Sequence, residues 1–305
     1  MKRNIILIAS VCAVLALTVG IFAAGAKSSG SPVAENLEIS TYRGVSVNGQ
    51  LKATDPDGDI LSFEITTQPN KGSVELDEGG SFVYTPAEGK RGSDYFGYKV
   101  TDSDENQSSE ATVIIKIKKQ KTPVSYSDLN GNGAHYAALV LAEKGIFTGE
   151  NLGGQYVFNP DAPVTRGEFL TMCMKFADID ILSGVITTGF ADDTSIPGYQ
   201  KPYVSTALLT GVISGYSNGH RTAVFNGDNC ISYAEAAVIL NKALQLTNVR
   251  SDSYLGIAPT WAVQACANLS ACDIAEREYQ SYEEMMTRAD CAQILLNAMQ
   301  VLDKR

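Results

Sequence analysis

Three short segments in the C-terminal half of the chain share the pattern of a helix start. They span residues 164–168, 231–235 and 286–290. Each has a hydroxyl residue, an acidic residue three positions later and an apolar run beyond, which is the pattern of a capping box. Two of them carry an arginine in the first turn, Arg166 and Arg288, where the helix dipole disfavours a cation. These arginines are therefore candidates for binding, and their planar fork of donors suits a carboxylate.

The composition is that of several globular domains with an acidic surface. The chain has 305 residues, of which 44% are apolar and 19% charged, and its formal net charge is −10. That length predicts about two to four domains, and the negative charge argues against nucleic acid as a partner. The chain has no hydrolase, metalloprotease or nucleotide-binding motif, so we predict neither an enzyme nor a small-molecule cofactor.

Residues 1–26 have the pattern of a signal peptide. Lys2 and Arg3 precede an apolar run that ends in the small-residue cleavage pattern Ala24-Gly25-Ala26. We expect cleavage and export, although the run is also long enough for a retained membrane anchor. Residues 27–32 then form a flexible linker.

The exported chain keeps five cysteines, an odd number: Cys173, Cys230, Cys266, Cys272 and Cys291. Four of them, all but Cys230, fall in apolar helical patterns, which favours buried core residues over a disulfide framework. A metal site is not indicated, because the chain lacks a pair of cysteines two residues apart and has only two histidines.

Residues 33–119 have the periodicity of β-strands. Residues 61–65 and 81–84 alternate apolar and polar side chains, and Val113, Ile115 and Ile117 share one face of a last strand. Turn clusters rich in Asp, Asn and Gly separate these runs. Short strands with regular turn signals predict an all-β sandwich.

The same segment resembles the cadherin-like, bacterial Ig-like repeat family. The resemblance rests on Ala53-Thr54-Asp55-Pro56-Asp57-Gly58-Asp59, on Pro69-Asn70-Lys71-Gly72-Ser73-Val74 and on the run from Gly92 to Asp102. It implies an extracellular module used as a spacer or an adhesive unit. Four acidic residues are weak calcium candidates, although solvated turns are the favoured interpretation. They are Asp55, Asp57, Asp59 and Asp102.

After a linker at residues 120–124 the periodicity becomes helical and a repeat emerges. The first copy runs from Tyr126-Ser127-Asp128 through Gly145-Ile146-Phe147-Thr148-Gly149 to Phe158-Asn159-Pro160 and the first box. The second runs from Phe190-Ala191-Asp192 through Gly211-Val212-Ile213-Ser214-Gly215 to Phe225-Asn226-Gly227 and the second box. The third keeps only the helix start at Trp261-Ala262 and the last box.

These elements resemble the S-layer homology (SLH) family, as three copies over residues 125–183, 187–248 and 249–302. The resemblance implies a mainly α, pseudo-threefold assembly with ligand grooves between its lobes. It also implies a ligand, the secondary cell-wall polysaccharide, often with pyruvate ketals on a terminal sugar. A ketal carboxylate would suit an arginine beside the free N–H groups of a helix N-terminus.

The residues expected to contact the ligand are Arg166, Arg288, Glu168, Thr165, Thr287, Gly149, Gly215 and Trp261. Tyr233 takes the arginine's place in the second copy, and we expect that site to be silent. Gly149 and Gly215 are either left-handed helix C-caps or points of close approach to a sugar. For Tyr199 and Trp261, packing against the core or the groove wall is favoured over ligand stacking. Asp128 and Asp192 are predicted as caps.

The sequence therefore predicts a non-catalytic, exported cell-surface protein. Its SLH copies would anchor it to pyruvylated wall polysaccharide, and the sandwich would be displayed outward. One alternative is an adhesin or matrix-contact protein that binds other surface proteins through the sandwich. A cell-wall glycan hydrolase is less favoured, because abundant acidic pairs lack a recognisable cleft partner.

Overall fold

The computed structural model describes residues 30–217, 219, 222–275 and 282–303. These residues form two compact units. We call residues 30–163 with 287–299 the N-terminal unit, and the remaining described residues the C-terminal unit. The predicted signal peptide lies outside the described residues. Among the described residues, none of the helices combines the length and the apolar character needed to span a bilayer.

The predicted strand-rich segment is confirmed in the N-terminal unit. Its strands are β1 (Val33–Ala34), β2 (Leu37–Tyr42), β3 (Val47–Gln50), β4 (Ala53–Thr54), β5 (Ser62–Thr67), β6 (Gly72–Leu76), β7 (Ser81–Pro86), β8 (Gly92–Thr101) and β9 (Ala111–Lys118). One sheet has the order β2-β9-β8-β5, a second has the order β3-β7-β6, and β1 pairs with β4. β2 runs parallel to β9, whereas the other pairs are antiparallel.

Alternating side chains of the two larger sheets form the sandwich core. Val113, Ile115 and Ile117 of β9 are buried, as their spacing predicted, while Ile114 between them is exposed. The rings of Phe82 on β7 and Phe96 on β8 meet edge to face across the sheets, with centroids 5.2 Å apart. Period-two burial on both sheets is the pattern of a sandwich.

The rest of the chain is mainly helical, as predicted. It contains α1 (His135–Glu143), β10 (Glu150–Leu152), β11 (Gln155–Val157), α2 (Arg166–Phe176), α3 (Lys201–Leu209), α4 (Tyr233–Leu244), α5 (Val263–Ala271) and α6 (Arg288–Asp303). β10 and β11 form an antiparallel hairpin. Short 3-10 helices at Asp193–Ser195 and Asp252–Tyr254 precede α3 and α5.

Within the N-terminal unit the sandwich packs against the first helical copy. The amide of Asn48 on β3 donates to the carbonyl of Gly133 at 3.2 Å, and the amide of Tyr136 on α1 donates to Ser46 at 3.3 Å. The rings of Tyr42 and Tyr136 lie 5.0 Å apart. The strand-rich and helical segments of this unit therefore share an interface.

The glycine at the C-terminal end of α1 is Gly145 and not the predicted Gly149. Gly145, with φ +66°, follows the C-cap Lys144, and its amide donates to Ala142. The amide of Ile146 donates to Leu141, which completes a Schellman motif. Gly149 is left-handed too, but it lies beyond the helix end, where it is not a cap.

The cysteines agree with the core prediction for three positions. Cys173, Cys266 and Cys291 are buried, Cys272 is half-buried, and Cys230 is exposed. Burial raises the pKa of the Cys173 and Cys266 thiols, so these side chains behave as small apolar groups.

A candidate ligand site at the capped helix starts

All three predicted capping boxes are present. The Thr165 hydroxyl accepts from the Glu168 amide at 3.2 Å, and the Glu168 carboxylate accepts from the Thr165 amide at 2.9 Å. Ser232 with Glu235, and Thr287 with Asp290, repeat this reciprocal pair. The hydroxyls of Thr165 and Thr287 and Oε2 of Glu168 are therefore engaged at the helix starts.

The next two amides of each helix are also bound, so the expectation of free N–H groups for a ligand is wrong. In α2, α4 and α6 alike, the first two amides donate to backbone carbonyls of a loop distant in the sequence. The pairs are Arg166 with Asn229, Gly167 with Gly227, Tyr233 with Glu284, Ala234 with Tyr282, Arg288 with Ala162 and Ala289 with Pro160, each at 2.8–3.0 Å. Backbone amides are thus structural here, and any ligand must be bound by side chains.

The Arg166 guanidinium lies between two aromatic rings of the C-terminal unit. Its Cζ is 4.8 Å from the ring centroid of Tyr216 and 5.6 Å from that of Phe225. Only 9% of the side chain is exposed, and Nε is buried without a hydrogen-bond partner among the described residues. Cation–π contacts stabilise the charge by about 0.5–2 kcal/mol but supply no acceptor for its N–H groups. The guanidinium therefore keeps unused donors.

Glu235 is the nearest carboxylate to Arg166, but its oxygens serve other donors. Its Oε1 lies 3.8 Å from Arg166 Nη1, beyond hydrogen-bonding distance, and accepts from the Tyr216 hydroxyl. Its Oε2 accepts from the Ser232 amide in the capping box. Burial and the bond to Glu235 raise the pKa of Tyr216 to about 12, so its phenol stays neutral. The pair leaves Arg166 with a nearby charge but no donor–acceptor bond.

Arg288 in the N-terminal unit has acceptors of its own. Its Nη1 donates to Glu150 Oε1 at 3.0 Å and to the carbonyl of Phe158 at 2.9 Å, and its Cζ lies 5.4 Å from the Phe147 centroid. Asn159 Nδ2 also donates to Glu150 at 3.2 Å. The Arg288 and Asn159 hydrogen bonds lower the pKa of Glu150. Two predicted carboxylate binders thus have different surroundings.

Tyr233 fills the matching position of α4 with a buried ring. It is 1% exposed, and its centroid lies 5.4 Å from that of Tyr282. The position is thus a packed aromatic contact, and the expectation that no ligand binds there stays a prediction.

Two aspartates hold the loops beside the arginines. Asp192 accepts from the amides of Phe225 and Asn226, both at 2.8 Å. Asp128 accepts from the matching amides of Phe158 and Asn159. Asp192 is the N-cap residue of the 3-10 helix Asp193–Ser195, as predicted, but its carboxylate does not bond to that helix. Each carboxylate instead fixes the loop that carries the phenylalanine.

Gly149 and Gly215 approach protein atoms rather than an open groove. A Cβ at Gly149 would lie 2.5 Å from the Val157 carbonyl oxygen, and one at Gly215 would lie 2.5 Å from the Phe190 ring. Both have positive φ, +67° and +75°. The positive φ and the close neighbour at each position therefore require glycine.

Trp261 and Tyr199 lie outside the core. Trp261 is 59% exposed and Tyr199 is also exposed, each two residues before the start of its helix. Packing against the core is wrong for both residues, whereas packing against a groove wall stays a prediction. Ligand stacking by Trp261 stays a prediction.

Three of the four acidic residues proposed for calcium lie together. One ligand atom from each of Asp55, Asp57 and Asp59 falls within 4.8 Å of the others, and Asp102 is not in the group. Asp55 Oδ1 accepts from the amides of Asp57 and Asp59, as in a plain acidic turn. Calcium binding stays a prediction.

Sequence reasoning missed the residues that face the arginines. Tyr216 and Glu150 each follow a left-handed glycine, Gly215 and Gly149, at matching places in two copies. The matching positions of these two residues could have been noticed in the sequence. They do not reveal, however, that Glu150 contacts Arg288, which lies 138 positions away.

Comparison with known families agrees with two of the resemblances. Residues 30–119 match the bacterial cadherin-like domain, and residues 125–170 and 189–237 match the S-layer homology domain. The third predicted copy, residues 249–302, lies outside these matches and stays a prediction.

Two curated relatives come from Acetivibrio thermocellus. A cellulosome-anchoring protein is 27% identical over 129 residues, which cover 41% of this chain and 27% of that protein. Cell surface glycoprotein 1 is 28% identical over 128 residues, which cover 39% of this chain and 5% of that protein. The matched segment is therefore a small part of either relative. Among solved structures, an endo-fucoidan hydrolase of glycoside hydrolase family 107 is 19% identical, with a TM-score of 0.26. The match covers 32% of this chain and 15% of the hydrolase chain, and a similarity this weak supports no conclusion about function.

Proposed function

We propose that this chain is a non-catalytic cell-surface protein that its SLH segments anchor to the cell wall. The SLH match and the relatives named for anchoring and for the cell surface support this role. The ligand in the proposal is a secondary cell-wall polysaccharide that carries carboxylate groups, such as pyruvate ketals. The cadherin-like sandwich is the displayed module.

Arg166 carries the proposal. A nearly buried guanidinium without a hydrogen bond to its Nε is costly, because desolvated charges are normally paired. A ligand carboxylate would accept from the exposed part of the guanidinium and so pair the charge. The small exposed part of the side chain admits a compact group, and the half-buried ring of Tyr216 offers an apolar wall for the attached sugar.

A pseudo-threefold arrangement of three copies is the finer part of the proposal. Its support is a cycle of backbone bonds among the residues that precede the three boxes. Val164 donates to Met286, Met286 donates to Ile231, and Ile231 donates to Val164, at 2.9–3.0 Å. All three residues are buried. Equivalent positions that bind each other in a closed cycle are what a threefold axis would produce.

The test is retention of the full chain on purified cell-wall sacculi, before and after mild acid removes pyruvate. We expect the wild type to bind only the untreated wall and Arg166→Ala to lose most of that binding. Arg250→Ala is the matched control, because Arg250 belongs to the same unit and its exposed side chain pairs only with Asp252 among the described residues. Equal retention of wild type and Arg166→Ala, with unchanged melting temperatures, would refute the role of Arg166. Release of reducing sugar from the sacculi would contradict a non-catalytic role.

A further inference from the structure

The two first-turn arginines differ in what faces them at one matched position. Tyr216 follows Gly215 and places a neutral ring against Arg166. Glu150 follows Gly149 and places a carboxylate against Arg288. The loops of Phe225 and Phe158 correspond, since Asp192 and Asp128 hold them in the same way. The aromatic contacts differ, because Arg166 lies against the Phe225 ring and Arg288 against the Phe147 ring. Of the two matched residues, only Glu150 brings a carboxylate into hydrogen-bonding distance of its arginine.

We propose that Glu150 occupies Arg288 as an internal substitute for a ligand carboxylate, so that the chain binds one anionic group, at Arg166, and not two. This inference rests on the proposed function of the arginines. Glu150 is held from two sides, because Arg288 and Asn159 both donate to its Oε1. The Phe158 carbonyl accepts a second hydrogen bond from Arg288 Nη1.

A competing carboxylate would meet two obstacles at Arg288. It must displace an acceptor that is tethered at the start of β10 and therefore always present at high local concentration. It must also approach the negative charge of Glu150, whose side chain is 49% exposed, and like charges repel there. The first obstacle is absent at Arg166, because the residue at the matched position is an uncharged phenol and Glu235, 3.8 Å from Nη1, is not hydrogen-bonded to the guanidinium. Glu150 is thus a specificity-determining residue that keeps the Arg288 site closed.

The test isolates Arg288 by working in the Arg166→Ala background. The probe is a methyl hexopyranoside that carries a 4,6-pyruvate ketal, titrated calorimetrically into the full chain. We expect no binding by Arg166→Ala, one equivalent bound by Arg166→Ala/Glu150→Ala, and none again when Arg288→Ala is added. Glu150→Tyr, which copies the Arg166 surroundings, should open the site as well and gives a second variant if Glu150→Ala is unstable.

Glu38→Gln is the charge control. Glu38 pairs with Lys116 in the sandwich at 2.6 Å, so its loss also removes one carboxylate from an ion pair of the N-terminal unit. In the Arg166→Ala background it should not create a site. The inference is overturned if Arg166→Ala alone binds an equivalent through Arg288, or if neither Glu150 variant binds in that background. The proposed function fails separately if wild type and Arg166→Ala bind the ketal equally.

Discussion

Gly133 offers a sharp test of the interface between the sandwich and the first helical copy. A Cβ at this position would lie 1.5 Å from Oδ1, 2.3 Å from Cγ and 2.8 Å from Nδ2 of Asn48. In Gly133→Ala the Asn48 side chain must leave its place, or β3 must move away from α1. Overpacking of this kind costs about 1–3 kcal/mol. Alanine recovers about 0.4–1 kcal/mol by restricting the unfolded chain, so we expect a net loss of about 1–2 kcal/mol.

The double variant Gly133→Ala/Asn48→Ala separates this clash from other causes. Every atom that clashes lies beyond the Cβ of Asn48, so its truncation should remove most of the penalty. We expect a coupling energy of about 1–2 kcal/mol between the positions. Calorimetric melting should show the single variant about 2–8 °C lower. Hydrogen exchange at the amides of Asn48 and Tyr136, which bridge the interface, should accelerate. Strictly additive effects of the two changes would refute the reasoning.

Three further predictions concern buried polar groups. Burial lowers the pKa of His135, so the free energy of unfolding is largest above the unfolded pKa of about 6.5 and falls by up to about 1.4 kcal/mol per pH unit below it. In chemical unfolding, the stability difference between pH 7.5 and pH 5.5 should be smaller for His135→Gln than for wild type. Asp192→Ala loses two charge-assisted bonds, so urea unfolding should report about 3 kcal/mol less stability and sacculi retention should fall, because the loop of Phe225 is released. Asp94→Ala removes the acceptor of the Tyr84 hydroxyl and of the amides of Asn70 and Lys71. The free energy of unfolding should therefore fall by about 3–5 kcal/mol in the same assay, compared with about 1 kcal/mol for Tyr84→Phe.

Local patterns were enough to predict the capping boxes and the strands. A box involves residues three apart, and strand burial follows a period of two, so both are visible in the sequence. The surroundings of the arginines were not predictable in that way. Glu150 and Arg288 are 138 positions apart, and their contact depends on how the loops fold onto the helix starts. The same holds for the first-turn amides, whose acceptors lie in loops distant in the sequence.

The two glycine motifs show a subtler limit. Gly145 and Gly149 both have positive φ, and the sequence alone marks each as a possible helix cap. The structure separates them because Ile146, and no residue near Gly149, donates back to the last turn of α1. Gly149 is instead required by the Val157 carbonyl of its own hairpin. A residue type fixes which backbone conformations are accessible, but its tertiary contacts decide which element it serves.

The use of every first-turn amide of α2 by the protein has a consequence for the chemistry of Arg166. If backbone N–H groups bound the carboxylate, Arg166→Ala would keep part of the affinity. Since those groups already donate to Thr165, Asn229 and Gly227, binding of the carboxylate at α2 should depend on the guanidinium rather than on the backbone. Arg166→Lys keeps the charge but replaces the planar fork with a single point of contact, and lysine gains less from the two rings. We therefore expect Arg166→Lys to bind the pyruvylated wall about tenfold or more weakly than wild type, a loss of about 1.4 kcal/mol or more. Wild-type affinity in the lysine variant would mean that charge, not the fork, is recognised.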